Sequence, residues 1–579
     1  MYEIIFTNNF YLNFLNSLLF ISFNVFFSYK LHQNLLEKKL ISIQISSPLI
    51  ILFVVFTFIS IFFNFLILTN NYQYFRHVLM GILFFQLIYL IKFVDLPKKI
   101  NFKLIKTDKI ELFIIFILTI LYLISILPIS DADSIALHQN LSNEIYFRGL
   151  ENLDIEKNLS FTIFSNTQNL LIISPILNSD NFGAQLNIIV LIIFYFFTFR
   201  DKKNFILILL ASPLIIYFIS TQKLQLFFGI LYLLIFIIVN EKLIKTKLDL
   251  FLTIFLLIFY ASGNISYILF ATPIFIYLLF QQKQNWKNLF FYSFVSFLLI
   301  LLPILVIKQV YFQNFLAPFF DNIIGTNNLL FNAYSNSVRS TGGWLDNPAN
   351  LELYLKPFIS FDVSSFTSSL GIIFLLMLFN IKLQSKLKYF PLIIILLVIS
   401  TGQILPRYYL EAFLILAYYF NINNILSKII ISSHNFLIII ISLGYIYFSY
   451  YELNVVQNKT EYMKKFSYSY FNSLEQKKNR LDANILDTVG RPSTFFEQNI
   501  FSKRTLNIIK QYKNNDEYFA KFIRNNSIKY IVKHKSDNLP SCLNLEKIGE
   551  TKRKLAVRNF LRKNKAQSND ILIIKSNNC

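Results

Sequence analysis

Residues 46–69 read SSPLIILFVVFTFISIFFNFLILT, a run without a single charged side chain. A helix of that length exceeds the roughly 30 Å hydrocarbon core of a bilayer, which about 20 apolar residues already cross. Similar runs recur near 10–29, 77–95, 111–129, 184–199, 204–220, 223–240, 248–261, 264–281, 288–308, 365–381, 389–404, 407–422 and 434–451. The stretch 248–281 could be one broken helix rather than two. The first span is expected to stay attached, because its leader holds Glu3, no basic residue and no small-residue cleavage site.

Composition agrees with that reading. The chain of 579 residues is 55% hydrophobic, 17% aromatic and 15% charged, with a mean hydropathy of +0.52. A soluble domain carries about 25% charged residues and cannot hide so much apolar surface in one core. A disordered chain and a collagen-like fibre are excluded on the same ground. The unbroken runs argue against a β-barrel, whose strands alternate over about ten residues. The expected fold is an all-α polytopic membrane protein of about 13–14 transmembrane helices.

The connecting segments alternate in charge. Segments 30–42, 92–110, 200–203, 241–247, 281–287, 382–388 and 421–428 hold about 21 Lys and Arg, whereas the opposite short turns hold Arg76, Lys223 and Arg407. The basic set is expected to face the cytoplasm. The net charge of +22 therefore reports topology first and does not imply nucleic acid. Basic residues of the tail could also meet anionic lipid headgroups. Segments 130–183, 309–364 and the tail from about 452 then lie outside. The tail shows strand-like runs at Asn484–Leu486, Ile528–Val532 and Ile571–Ile574, and a helical stretch at Asp516–Arg524. It reads as a small α/β extracytoplasmic domain. Its Cys542 and Cys579 could pair there, and no metal cluster can be built from them.

Three parts follow: extra N-terminal helices (1–110), a transmembrane core (111–451) with its two outer loops, and the tail domain (452–579).

The first outer segment opens with Ser130-Asp131-Ala132-Asp133-Ser134 after Leu127-Pro128. One reading is structural: Ser130 caps a helix and the acidic residues meet its positive end. The other places Asp131 and Asp133 in a cavity at the bilayer surface. There they could hold a divalent cation (Mg or Mn) or act as general base toward an acceptor hydroxyl. His138 could share that cavity. Arg407 stands at the outer end of a late span, with Glu411 four residues on. The two could pair as helical neighbours, or the guanidinium could grip a lipid phosphate. Arg148, Lys157 and Arg339 could bind phosphate or sugar, or serve surface solvation. Lys223 and Asn264 could line the same cavity. Gly342-Gly343-Trp344 is a loop turn, and no nucleotide cofactor is expected.

A span ending in Pro, then Asp-x-Asp-Ser and a His five residues after the second Asp, resembles the first extracytoplasmic loop of GT-C glycosyltransferases. The likeness is to the protein mannosyltransferase and lipid A aminoarabinose transferase groups, and to bacterial relatives with a small C-terminal extracytoplasmic domain. Phe161–Gly183 looks like their juxtamembrane helices. Asn314-Phe315-Leu316-Ala317-Pro318-Phe319-Phe320 is similar to their Asn-Pro-Phe-x-Pro segment. Thr401 to Tyr409 looks like their late Arg-Tyr turn, and Arg491-Pro492-Ser493 with Tyr530-Ile531-Val532 resembles their tail domain. Leu137 stands where an aromatic often precedes the His, and the first proline of the Asn-Pro segment is absent. The resemblance implies a polyprenyl-phosphate sugar donor, a lipid, glycan or protein acceptor, and catalysis at the outer face of a bacterial inner membrane. It implies Asp131 as base, Asp133 or a cation beside it, and Arg407 on the leaving phosphate. Two other functions fit the composition: a transporter or flippase for lipid-linked saccharide, and a non-catalytic envelope-polysaccharide assembly protein.

Overall fold

The computed structural model describes residues 10–43, 47–93, 108–129, 131, 134–153, 159–200, 202–326, 331, 355, 358–359, 366–367, 369–379, 389–401, 405–420, 422, 424–456, 484–487, 500–502, 516–535, 539, 543–553 and 567–577. Asp133, Ser130, Lys157, Arg339, Trp344, Arg491, Cys542 and Cys579 lie outside the described residues.

The chain is mainly helical. Among the described residues five helices are long and apolar enough to cross a membrane: 14–37, 48–68, 72–93, 283–312 and 425–451. The other expected spans form shorter helices, such as Lys109–Ser125, Phe182–Phe194, Gln225–Asn240, Lys247–Gly263, Ile265–Gln281, Ile372–Phe379, Phe390–Ser400 and Leu410–Tyr419. The stretch expected as one span over 204–220 divides into Lys203–Leu210 and Leu214–Ile219. Pro213 explains the division, since proline donates no hydrogen bond and disfavours helix in the residue before it. The stretch 248–281 is two helices. Asn264 parts them in an extended conformation, and its Oδ1 accepts from Ser266 N at 3.3 Å.

The N-terminal helices are woven into the rest. Helix Ser47–Leu68 buries most of its length; its Phe53 and Phe56 pack edge-on against Phe227. Its Asn64 donates to Asn166 Oδ1 at 3.0 Å, and Asn169 donates to Asn64 Oδ1 at 2.8 Å and Ser60 O at 2.9 Å. Buried amides in an apolar bundle need such partners, so these bonds dock the 159–176 segment between that helix and Ser262–Gly263.

Polar contacts gather several of the basic segments. Arg200 pairs with Glu111 at 2.7 Å and Lys203 with Asp108. Lys202 donates to Tyr418, which donates to Glu241. Ser42 Oγ donates to Asp249 Oδ2 at 2.6 Å, and Thr246 Oγ1 to Leu40 O at 3.2 Å. Helices 109–125, 225–240 and 410–419 each have one end in this group. Their other ends lead to Asp131, Lys223 and Arg407.

The C-terminal part is a five-stranded sheet: β1 Asn484–Asp487, β2 Ile500–Ser502, β3 Ile528–His534, β4 Leu543–Arg553 and β5 Gln567–Asn577, in the order β2-β1-β3-β5-β4. β1 runs parallel to β2 and β3, while β5 runs antiparallel to β3 and β4. Helix Asp516–Asn525 turns Phe519 and Ile523 onto Leu486, Ile531 and Leu572, forming a small core of its own.

Candidate functional site

Asp131 and Lys223 are buried, keeping 4% and 2% of their surface. Asp131 Oδ2 accepts from Ser134 N and from Ser134 Oγ, both at 2.9 Å. Asp131 is thus itself the cap of the following turn, a role the sequence had suggested for Ser130. Lys223 Nζ stands 3.9 Å from the same Oδ2. The ammonium also donates to the Tyr217 hydroxyl and lies 4.7 Å from that ring's centre. The same hydroxyl accepts from Arg407 Nη1 at 3.3 Å. Arg407 stacks over Tyr408, 5.3 Å from its centroid. A continuous polar chain therefore runs Asp131–Lys223–Tyr217–Arg407.

Buried amides build the turn that carries Lys223. Asn187 donates to Phe218 O at 3.0 Å and to Lys223 O at 2.7 Å, and accepts from Phe227 N at 2.9 Å. It satisfies a carbonyl left over by helix 214–219, the carbonyl of Lys223 itself and an amide left over by helix 225–240. Gln222 N donates to Ser134 Oγ at 3.0 Å, and Gln222 Oε1 accepts from Gly183 N at 2.7 Å. A Cβ on Gly183 would meet that Oε1 at 2.5 Å and the Gln222 carbonyl oxygen at 2.7 Å, so glycine permits the close approach. Asn181 fixes the approach to Asp131 by donating to Ser125 O at 2.9 Å and to Leu127 O.

His138 reaches the same cluster. Gln168 Nε2 lies 3.2 Å from its Nδ1, and Ser165 Oγ lies 2.6 Å from Gln168 Oε1. Burial is the main cause that pushes the imidazole down to about 3; the cations Lys223 and Arg407 add to it, and Asp131 offsets part. His138 is therefore neutral, with Nδ1 as acceptor.

Glu411 does not take up the guanidinium. It is buried, and its Oε1 accepts from Tyr260 at 2.8 Å. Residues 406–409 form a 3₁₀ turn before the α-helix 410–419, so α-helical i,i+4 spacing does not carry across the junction. Tyr260 stacks on Tyr267 with centroids 4.7 Å apart, within an aromatic cluster that includes Tyr232. Arg148 pairs with Glu144 at 3.4 Å on its own helix.

The described donors do not suit a divalent cation. Mg or Mn prefers several oxygen ligands, whereas Asp131 faces an ammonium and the charges of Lys223 and Arg407 both oppose a further cation at His138. Among the described residues no group of three or more His, Cys, Asp or Glu could hold a metal. Asp133, the other expected ligand, lies outside them.

Tyr217 and Lys308 belong to no motif of the sequence. Tyr217 sits in the run LIIYFIS, where nothing separates it from apolar filler. Lys308 is the one charged side chain of helix Leu302–Phe312 and is buried, and a lysine in so apolar a run is itself a signal. It donates to Thr162 O at 2.8 Å and Ala317 O at 2.6 Å, tying the 159–163 turn to the Asn314–Phe320 segment.

No family model, no curated protein and no solved structure matches this chain.

Proposed function

We propose that the chain is a membrane glycosyltransferase. It moves a sugar from a polyprenyl-phosphate donor to a hydroxyl of a lipid, glycan or protein acceptor at the outer face of the membrane. One observation carries the reading: two cations from distant parts of the chain share one tyrosine hydroxyl, and one of them, Lys223, stands 3.9 Å from the buried carboxylate of Asp131. A base and an anion clamp are what transfer from a phosphate leaving group requires.

In this reading Asp131 takes the proton of the acceptor hydroxyl as its oxygen bonds to the anomeric carbon. The bond from that carbon to the phosphate oxygen breaks, and the electron pair leaves on the phosphate. Arg407 and Lys223 stabilise that charge, with Arg407 offering a forked pair of donors. His138, neutral and oriented by Gln168, positions the sugar or acceptor. No step is routed through a metal. The GT-C-like architecture belongs to the same proposal: about fourteen crossings, some by short interior helices, with the sheet domain outside. A donor embedded in the membrane suits a site at the ends of helices.

A second reading, a non-catalytic assembly protein on the same scaffold, draws on the two Ser134 hydrogen bonds to Asp131, which make it a structural cap. Asp131→Asn separates the two, because Asn also caps but cannot serve as the base. Loss of glycan transfer by a well-folded Asn variant supports the transferase; retained transfer removes Asp131 from the chemistry.

A further inference from the structure

We propose that the Tyr267 hydroxyl binds the phosphate of the lipid-linked donor, beside Arg407. This rests on the transferase reading above and names a further residue of its donor site.

Burial makes this hydroxyl informative. Tyr267 keeps 5% of its surface, and among the described residues its oxygen has no hydrogen-bond partner. A buried tyrosine hydroxyl is ordinarily paired, because an unpaired one has lost its bonds to water and gained none. The neighbouring tyrosines follow that rule. Tyr260 donates to Glu411 Oε1 at 2.8 Å, and Tyr232 donates to Phe270 O at 3.2 Å. All three rings belong to one cluster, with centroids 4.9 Å apart for Tyr232 and Tyr260 and 4.7 Å for Tyr260 and Tyr267.

Packing keeps the Tyr267 ring where it is. Its plane lies 12° from that of Tyr260, and Phe228 packs 5.7 Å from its centre. Gly263 admits Phe228 at this distance, since a Cβ there would meet the Phe228 ring at 2.7 Å. Tyr267 also stands in the first turn of helix Ile265–Gln281, where its N–H donates to Asn264 O at 3.0 Å. The hydroxyl is thus held in a fixed position, as a group that reads a ligand must be.

The surroundings define that ligand. Glu411 lies in the first turn after residues 406–409, so the Tyr260 bond ties the ring stack to the element that carries Arg407. Arg407, Tyr408 and Glu411 all act electrostatically on the Tyr267 hydroxyl. The Glu411 oxygen that faces the stack takes its hydrogen bond from Tyr260, and a guanidinium has no acceptor to offer. An O–H beside a guanidinium is matched by an anion that accepts from both. The phosphodiester of a lipid-linked sugar has two non-bridging oxygens, one for each donor, and hydrogen bonds to a charged acceptor are the strong ones.

Tyr267→Phe removes the oxygen and keeps the ring. The melting temperature should not fall, because no described bond is lost. The full chain, in nanodiscs of phosphatidylcholine, is titrated with polyprenyl phosphate. Polyprenol is the uncharged control, and phosphatidylglycerol is a competing phosphodiester from the bilayer. Wild type should bind polyprenyl phosphate in preference to polyprenol, and excess phosphatidylglycerol should not displace it. Tyr267→Phe should bind polyprenyl phosphate about tenfold more weakly and polyprenol as wild type does. Tyr267→Met, whose flexible side chain adapts to the space, gives the same readout if the Phe variant is not recovered folded. Undiminished binding by a folded Tyr267 variant, an equal loss for polyprenol, or displacement by phosphatidylglycerol would overturn the proposal and leave the transferase reading standing. Failure of wild type to prefer polyprenyl phosphate over polyprenol would overturn both.

Discussion

Tyr217 accepts a hydrogen bond from Arg407 Nη1 at 3.3 Å, across 190 positions of sequence. The same oxygen accepts from Lys223, so this tyrosine links the 406–409 turn, through Lys223, to Asp131. Tyr217→Phe removes the oxygen and leaves the ring. Transfer should fall by about tenfold or more, with the melting temperature changed little, because the ring still fills its place. Unchanged transfer by this variant would show that the two cations work without their shared partner.

The turn that carries Lys223 depends on Gly183. In Gly183→Ala the new methyl group would press on Gln222, whose backbone continues directly into Lys223. The expected cost is about 1–3 kcal/mol of stability, with a fall in transfer beyond what that loss explains. A denaturation curve and an activity measurement on the same sample decide it. An Ala variant as stable and active as wild type would mean that the Gln222 contact is loose.

Glu411 and Arg407 should behave independently. Glu411 takes its hydrogen bond from Tyr260, so changes at 411 should couple with Tyr260→Phe rather than with Arg407→Ala. The double variant Arg407→Ala with Glu411→Ala should be no more active than Arg407→Ala alone. In stability, the two changes should add to within about 0.5 kcal/mol. Restoration of function in the double variant would revive the ion pair and remove Arg407 from phosphate binding.

His138 gives the protein a defined acid sensitivity. Its pKa is about 3 in the folded chain against an ordinary 6.5, so the unfolded chain binds the proton first on acidification. The stabilisation it provides is full above about pH 6.5 and is lost as pH falls toward about 3. Lys223, Arg407 and Asp131 all face the ring, and the two cations oppose its protonation. Melting temperature should therefore fall between about pH 6.5 and 4 in wild type, and less steeply in His138→Gln. Parallel slopes in the two proteins would show that His138 does not titrate in this range.

Much of this was readable in the chain, and the failures have physical causes. Asp131, His138 and Arg407 stood out because a charged or titratable group at a helix end is conspicuous against Phe and Ile. Lys223 is visible for the same reason, yet its place beside Asp131 and Tyr217 depends on a fold-back that no local pattern encodes. Tyr217 was hidden because a tyrosine in an apolar run looks the same whether its hydroxyl is used or not. The Arg407–Glu411 pairing failed on a 3₁₀ turn that spacing alone does not reveal. In the tail, Ile528–Val532 and Ile571–Ile574 announced β3 and β5 by their apolar runs. β4, LNLEKIGETKR, is strongly charged and lies at the sheet edge, so it carries no such signal.

The central claim is that Asp131 is the base of a sugar transfer. The most direct test compares the glycolipids and glycoproteins of three strains by mass spectrometry. One lacks the gene, one is restored with the wild-type gene, and one is restored with Asp131→Asn at equal membrane abundance. A glycosylated species should vanish on deletion, return with wild type, and stay absent with the Asn variant. Its return with Asp131→Asn, or an unaltered set of glycans on deletion, would refute the claim.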